Sequence, residues 1–392
     1  MSLVIRLILA PLLMAIAVQL PAQTQLIISN GPRPAAASTI FFNWPGRSGV
    51  LTDKQTGRQY PVQQIGEQGV IFYENLLQPY QEVVLDWKPG VAESAMKADS
   101  SAGAVQLSSK GKPVLAYQVQ TRLPANTAAS YARSGFVHPL YSPAGKILTD
   151  DFPLGHTHQH AMFTAWTSTT FRGKPHDFWN QMKEQTTVAH QTVSATVSGP
   201  VMAGLTARLA HNSVLFGQVL DETWELRVYP GGEGYYVVDL FSDQANISSD
   251  TFYLDAYHYG GFGLRGSATW NESDHERFIS MAQFLTSEGM PRAAADHTRP
   301  RWTAIYGDFE TGQGGVAVMD HPSNLRFPQY IRVHPHMPYF SQTPVVGEGY
   351  ALAPGAHLKA QYRLMLFDGA PDVTLLERAW ESWSHPLQAR WK

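Results

Sequence analysis

The stretch Glu222–Phe241, ETWELRVYPGGEGYYVVDLF, decides the fold. Trp224, Leu226 and Val228 alternate with Thr223, Glu225 and Arg227, the two-residue period of a strand with one buried face. Pro230-Gly231-Gly232-Glu233-Gly234 then reverses the chain. After it, Tyr236, Val238 and Leu240 alternate with Tyr235, Val237 and Asp239. This predicts a β-hairpin with a longer loop. The same alternation returns in KAQYRLMLFDG (Lys359–Gly369), and GQGGVAVMDHP (Gly312–Pro322) reads as a short apolar strand between turns. Gly 32 and Pro 26 are spread along the chain, as many short strands require. Helix signals are few; Asp372 is positioned to cap VTLLERAWESW, Val373–Trp383. No segment is long or polar enough to force a linker. The expectation is one large antiparallel β-sandwich with a short C-terminal helix, spanning residues 23–392.

At the N-terminus, Arg6 precedes an apolar run from Leu7 to Val18, followed by Leu20-Pro21-Ala22. A run of this length falls short of the roughly 20 residues of a spanning helix. It predicts a signal peptide over residues 1–22 and a periplasmic or secreted bacterial protein. The chain has 392 residues, a hydrophobic share of 44% and no cysteine, so it builds a real core without disulfides. A net charge of −3 with no basic run argues against nucleic acid as a partner. No P-loop, dinucleotide fingerprint or G-x-S-x-G elbow is present, which argues against the common nucleotide enzymes and serine hydrolases of the α/β type.

Chemistry concentrates in DDFPLGHTHQHAMFTAW, Asp150–Trp166. If HTHQH is extended, His156, His158 and His160 share one side, with the outer pair about 13 Å apart at about 3.3 Å per residue. Three histidines so spaced cannot ligate one ion; two neighbours, His156 and His158, can, with further ligands from His138, His258, His321, Asp151 or Asp255. A divalent metal such as zinc is therefore one reading. Proton transfer by histidine is the second, since imidazole titrates near neutrality. A histidine-rich loop without chemistry is the third. The segment DAYHYGGFGLRGS (Asp255–Ser267) adds Tyr257 and His258 as proton partners and Arg265 as a clamp for a carboxylate or hydroxyl pair. RVHPHMPYF, with His334 and His336, and MDHP, with His321, read as loops at a rim, ranked below these two segments.

The block Phe136–Gln181 resembles the hallmark region of the PmoA-like family of unknown function. The resemblance rests on His138-Pro139, Ser142-Pro143-Ala144-Gly145, Asp151-Phe152-Pro153, His156, His158 and Asp177-Phe178-Trp179. Gly155 stands where many members carry Asp, and His160-Ala161 where many carry Arg-Gly. The resemblance implies a β-sandwich, of the large supersandwich or mutarotase-like kind, found among bacterial systems for polysaccharides. Two functions fit these observations. One is an exported lyase, hydrolase or dehydratase acting on a sugar or oligosaccharide. It would use His156, His158, Tyr257 and His258 catalytically and His138, Asp151, His160, Arg265 and His321 for substrate. The other is a non-catalytic glycan-binding or scaffold sandwich, whose mark would be a row of exposed aromatic rings.

Overall fold

The computed structural model describes residues 24–44, 46, 49–101, 103–181 and 185–392; the expected signal peptide lies outside them. Strand dominates, as the two-residue periods require. Two eight-stranded sheets face each other. In the first, the long strands Thr186–Val197, Ala203–Ser213, Gly217–Gly232, Tyr235–Asn246 and His357–Asp368 are neighbours, followed by Gln313–Asp320, Trp302–Asp308 and Gln283–Thr286. In the second, the order is Tyr330–Val333, Tyr339–Thr343, Gly261–Arg265, Met162–Ala165, Phe136–Leu140, Lys112–Gln118, Ala104–Ser109 and Met96–Ser100. All the pairings are antiparallel. Trp224, Leu226, Val238 and Leu240 from the first sheet join Phe136, Met162, Phe262 and Leu264 from the second in one core.

The hairpin that opens the reading is present, but its connection is shorter than expected. The strands run to Gly232 and from Tyr235, leaving Glu233-Gly234 at the turn. A register shift between Tyr229 and Gly232 absorbs Pro230 and Gly231 as a bulge. Gly231 has φ +67°, and a Cβ there would strike the Tyr235 carbonyl.

A second departure is that the large sheet is covered on both faces. Tyr235, Val237, Met365 and Phe367, on the face away from the second sheet, pack with Leu376, Ala379, Trp380 and Trp383 of the helix Val373–Ser384 and with Val70 and Phe72. That helix starts where its cap predicts: the Asp372 carboxylate accepts from Leu375 N at 3.0 Å. Strands between Gln25 and Pro89, closed by Gln388–Trp391, form a third core around Leu26, Ile40, Leu51 and Ile71. Among the described residues no helix is long and apolar enough to cross a membrane.

Candidate active site

The stretch around His156–His160 is not a strand. His156 N bonds to Pro153 O at 3.1 Å and Gln159 N to His156 O at 3.0 Å, so the chain makes two successive turns. Pro153 and Gly155 of DDFPLGHTHQH favour this over an extended run. The three histidines consequently part company. His156 and His158 stay side by side, with ring centroids 5.6 Å apart. His160 turns inward, is fully buried, and sets Nδ1 3.2 Å from Asp151 Oδ1. Among the described residues no group of three His, Asp or Glu is arranged to hold a metal ion, so the His156–His158 pair gains no third protein ligand there.

Five neighbouring strands of the second sheet deliver their residues to one end. Arg265 closes Gly261–Arg265, and its amide bonds to Ala161 O at 2.7 Å. His160 stands just before Met162–Ala165. His138 lies on Phe136–Leu140, its Nδ1 3.1 Å from Thr149 Oγ1. Tyr339 opens the strand paired with Arg265. His334 follows Tyr330–Val333, and its ring lies 5.3 Å from that of His156. Arg265 NH1 donates to Gln159 Oε1 at 2.9 Å, and NH2 lies 3.8 Å from the Met337 sulfur. Trp179 fits across the sheet because Gly263 is opposite Phe163; a Cβ on Gly263 would sit 2.5 Å from the indole. The Trp179 ring in turn meets Tyr259 at 5.7 Å and Tyr339 at 5.9 Å.

Burial sets the electrostatics. It raises the Asp151 carboxyl to about 7, against the pull of His138 and Arg122, and Asp150 to about 6, against Arg277 and Arg265. It lowers His138 to about 4, although Asp151 pulls the other way. Burial, with His156, His160 and Arg265 alongside, takes His158 to about 3; His334 falls to about 4 for the same reason, with His156 and Arg332 contributing. Near neutral pH the cluster therefore pairs unprotonated imidazoles with carboxyls close to their titration point, a combination suited to general acid–base work. Buried polar atoms without hydrogen-bond partners gather here too, Asp150 Oδ2, Asp151 Oδ2, His156 Nδ1 and Arg265 Nε, and the Gln181 amide acts on His160.

Behind the cluster lies a second buried charge set. Arg133 is fully buried, donates to Thr164 O at 2.9 Å, and lies 5.1 Å over the Phe163 ring. It sits in the field of Glu222 and Asp151. Glu222 accepts from Thr164, His211, Trp224, Ser242 and Gln244, at 2.6 to 3.1 Å. Burial pushes its carboxyl up, but these bonds outweigh burial and hold it at about 2.

The remaining expected site residues fall elsewhere. Tyr257 and His258 stack on each other at 4.4 Å, and His258 is exposed, 6.4 Å from the His297 ring. Among the described residues no hydrogen bond or ring contact joins either one to His156, His158 or Arg265. They flank the cluster through Tyr259 and through Arg332, whose charge acts on both His258 and His334. His321 is not at this rim: it follows a strand of the large sheet, packs on Trp383 at 5.1 Å, and meets Gln361 and Ser323. A cleft of about 440 Å³ lies near it, lined by Thr223, Glu225, Phe241, Asp243, Lys359 and Gln361, away from the histidine cluster. Asp255, another candidate ligand, accepts from Thr170 at 2.9 Å. Arg133 and Gln159 carry no local sequence signal, whereas the His334-Pro335-His336 pattern points to His334, whose ring lies beside that of His156.

The molecule is thus a β-sandwich protein with a histidine–carboxylate–arginine cluster across one end of its second sheet. The chain belongs to DUF6807, a family of unknown function, whose model matches residues 104–381. This corrects the PmoA-like resemblance, which rested on short turn and histidine patterns; the family match lies with DUF6807 instead. The match includes the sandwich apart from its edge strand Met96–Ser100 and most of the C-terminal helix, and leaves out the strands between Gln25 and Pro89. No curated protein matches the chain in sequence. Among solved structures, the chain is similar to an alpha-galactosidase from Lactobacillus brevis, at 12% identity and TM-score 0.31, with 84% of this chain covered. It spans 39% of that galactosidase's length. It is also similar to a putative aldose 1-epimerase from Klebsiella pneumoniae subsp. pneumoniae MGH 78578, at 10% identity and TM-score 0.32, covering 88% of this chain and 94% of that one. TM-scores of this size carry no inference about activity.

Proposed function

We propose that the chain is an exported enzyme acting on a polysaccharide-derived sugar or oligosaccharide by acid–base chemistry in the histidine cluster. One observation carries this reading: His138, His160 and Asp151 converge with Arg265, His156, His158 and His334 at the end of five strands. In this reading Asp151 and its neighbours His138 and His160 hold and pass a proton. His156, His158 and His334 face the sugar hydroxyls, which imidazoles can both donate to and accept from. Such proton transfer serves a lyase, hydrolase or dehydratase alike.

The glycan-binding alternative calls for a row of exposed rings. Among the described residues, the exposed aromatic rings Tyr80, Tyr253 and Phe278 lie on three separate segments, which supports the enzyme reading. The test is a screen of purified protein against oligosaccharides, with and without chelator, read by mass. A product of altered mass that disappears in His158→Ala supports the proposal. Binding without turnover on every substrate would move the assignment to a glycan-binding protein, and loss of turnover with chelator would bring a metal back to His156 and His158.

A further inference from the structure

Among the described residues three arginine side chains are fully buried: Arg133, Arg265 and Arg363. Arg363 has an anion of its own, donating through Nε and NH2 to Asp239 at 2.7 and 2.9 Å. Arg133 also has two nitrogens, Nε and NH1, without hydrogen-bond partners, but it lies over the Phe163 ring, behind the cluster, in the field of two acids, Glu222 and Asp151. Arg265 stands in the cluster itself, with one acid, Asp150, acting on it and, among the described residues, no ring beneath it. Its hydrogen bonds go to a neutral amide, Gln159, and to the Met337 thioether, a weak acceptor, and its Nε has no partner. No carboxylate among the described residues lies within ion-pair distance of it. Asp150, the acid whose charge acts on it, turns instead to Asp151 N at 3.1 Å and to Arg277 at 3.6 Å. A buried guanidinium without an anion is costly, and groups held at such cost mark binding sites.

We propose that the ligand of the histidine cluster carries a carboxylate, as a uronate sugar does, and that Arg265 is its seat. The inference rests on the sugar reading above and names the class of sugar. A planar carboxylate matches one edge of the guanidinium fork and brings the single negative charge that Arg265 lacks. A phosphate dianion fits less well, because the flanking His156, His158 and His334 sit with lowered basicity and two carboxyls lie close by. The seat is covered by Met337, on the loop between Val333 and Tyr339. That side chain is unbranched and can swing aside.

The experiment is calorimetric titration of the full-length protein with uronate trisaccharides (galacturonate, glucuronate and mannuronate), their methyl esters, the neutral hexose trisaccharides, a sulfated trisaccharide and glucarate. The wild type binds one uronate about tenfold to a hundredfold tighter than its ester, the worth of a charge-assisted bond pair. Arg265→Met abolishes the difference while melting no lower than the wild type, and Arg265→Lys restores part of it. If esters and neutral sugars bind as well as acids, the carboxylate seat is wrong and the sugar reading survives. If a sulfated sugar binds better than every uronate in an Arg265-dependent way, the carboxylate is likewise wrong. If glucarate binds through Arg265 and no oligosaccharide does, the seat stands and the sugar reading falls. Absence of binding by all of them overturns both.

Discussion

Arg363 and Arg265 are both wholly buried on strands of neighbouring sheets, yet their surroundings are opposites. Around Arg363, Asp239 takes two bonds, Thr39 a third, and the Trp383 ring lies 4.6 Å from the guanidinium. The charge is balanced, and Asp239 holds the guanidinium even more firmly protonated against the effect of burial. Around Arg265 the acceptors are neutral, one nitrogen is bare, and burial lowers the group to about 10. A protein interior satisfies a charge when the charge serves the fold alone. The unsatisfied one belongs to a place where something else completes the set. The same contrast separates Glu222, with five donors, from Asp150, with a bare buried oxygen, and from Asp151, whose Oδ2 has only the Arg122 Nε at 3.7 Å.

The contrast can be broken by substitution. Arg363→Met leaves Asp239 buried without its partner and is expected to cost about 3–5 kcal/mol, read from urea unfolding midpoints. An unchanged midpoint would remove the distinction between the two arginines. His158→Ala is expected to lower turnover about 10²–10⁴-fold with an unaltered melting temperature. Combined with Asp151→Asn it should lose little beyond the worse single variant, because the two belong to one unit. His258→Ala, exposed and flanking, should cost less and should combine additively with His158→Ala. Full non-additivity of that pair would place His258 inside the cluster.

The acids give a signed dependence on pH. Burial raises Asp151 to about 7 from its ordinary value of 3.8, so the folded state holds a proton that the unfolded chain has released. This contribution to stability is complete below pH 3.8 and is lost as pH rises toward 7. Asp151→Asn should remove that decline, visible as a variant that gains on the wild type between those limits. A constant difference across the window would contradict the assignment. Glu222 runs the other way: its stabilisation is present above its ordinary 4.5 and is lost as pH falls toward 2. The smallest effect is expected for Arg265→Met, neutral or stabilising by about 1 kcal/mol, since it removes an uncompensated charge. A loss as large as that of Arg363→Met would make Arg265 a structural residue.

The sheets are legible in the sequence because side-chain alternation is a local signal. Trp224, Leu226 and Val228 show one face of their strand with no knowledge of what packs on it. The burial of Asp239 and Arg363 is not legible in this way, because it depends on the helix Val373–Ser384 and on residues near Thr39 closing the opposite face. The site divides along the same line. His156, His158 and Asp151 stand out as a dense polar run, and Arg265 as the end of a glycine-rich one. The conversion of HTHQH from an extended segment to two turns separates His160 from its neighbours, and a period-2 argument misses it. His334 reaches His156 only because Tyr330–Val333 and Tyr339–Thr343 lie beside Gly261–Arg265, a pairing set by the whole sheet. Arg133 is found only once Phe163 and Thr164 are in place beneath it.

Ligand is expected to meet this molecule at the histidine cluster. The direct measurement is a histidine-selective NMR spectrum of the full-length protein during titration with the oligosaccharide panel. The ring signals of His156, His158 and His334 are expected to move first and saturate together, with those of His321 and His357 still. Shifts confined to His321 and His357, beside the cleft lined by Asp243, Lys359 and Gln361, would place binding on the other sheet and contradict this expectation.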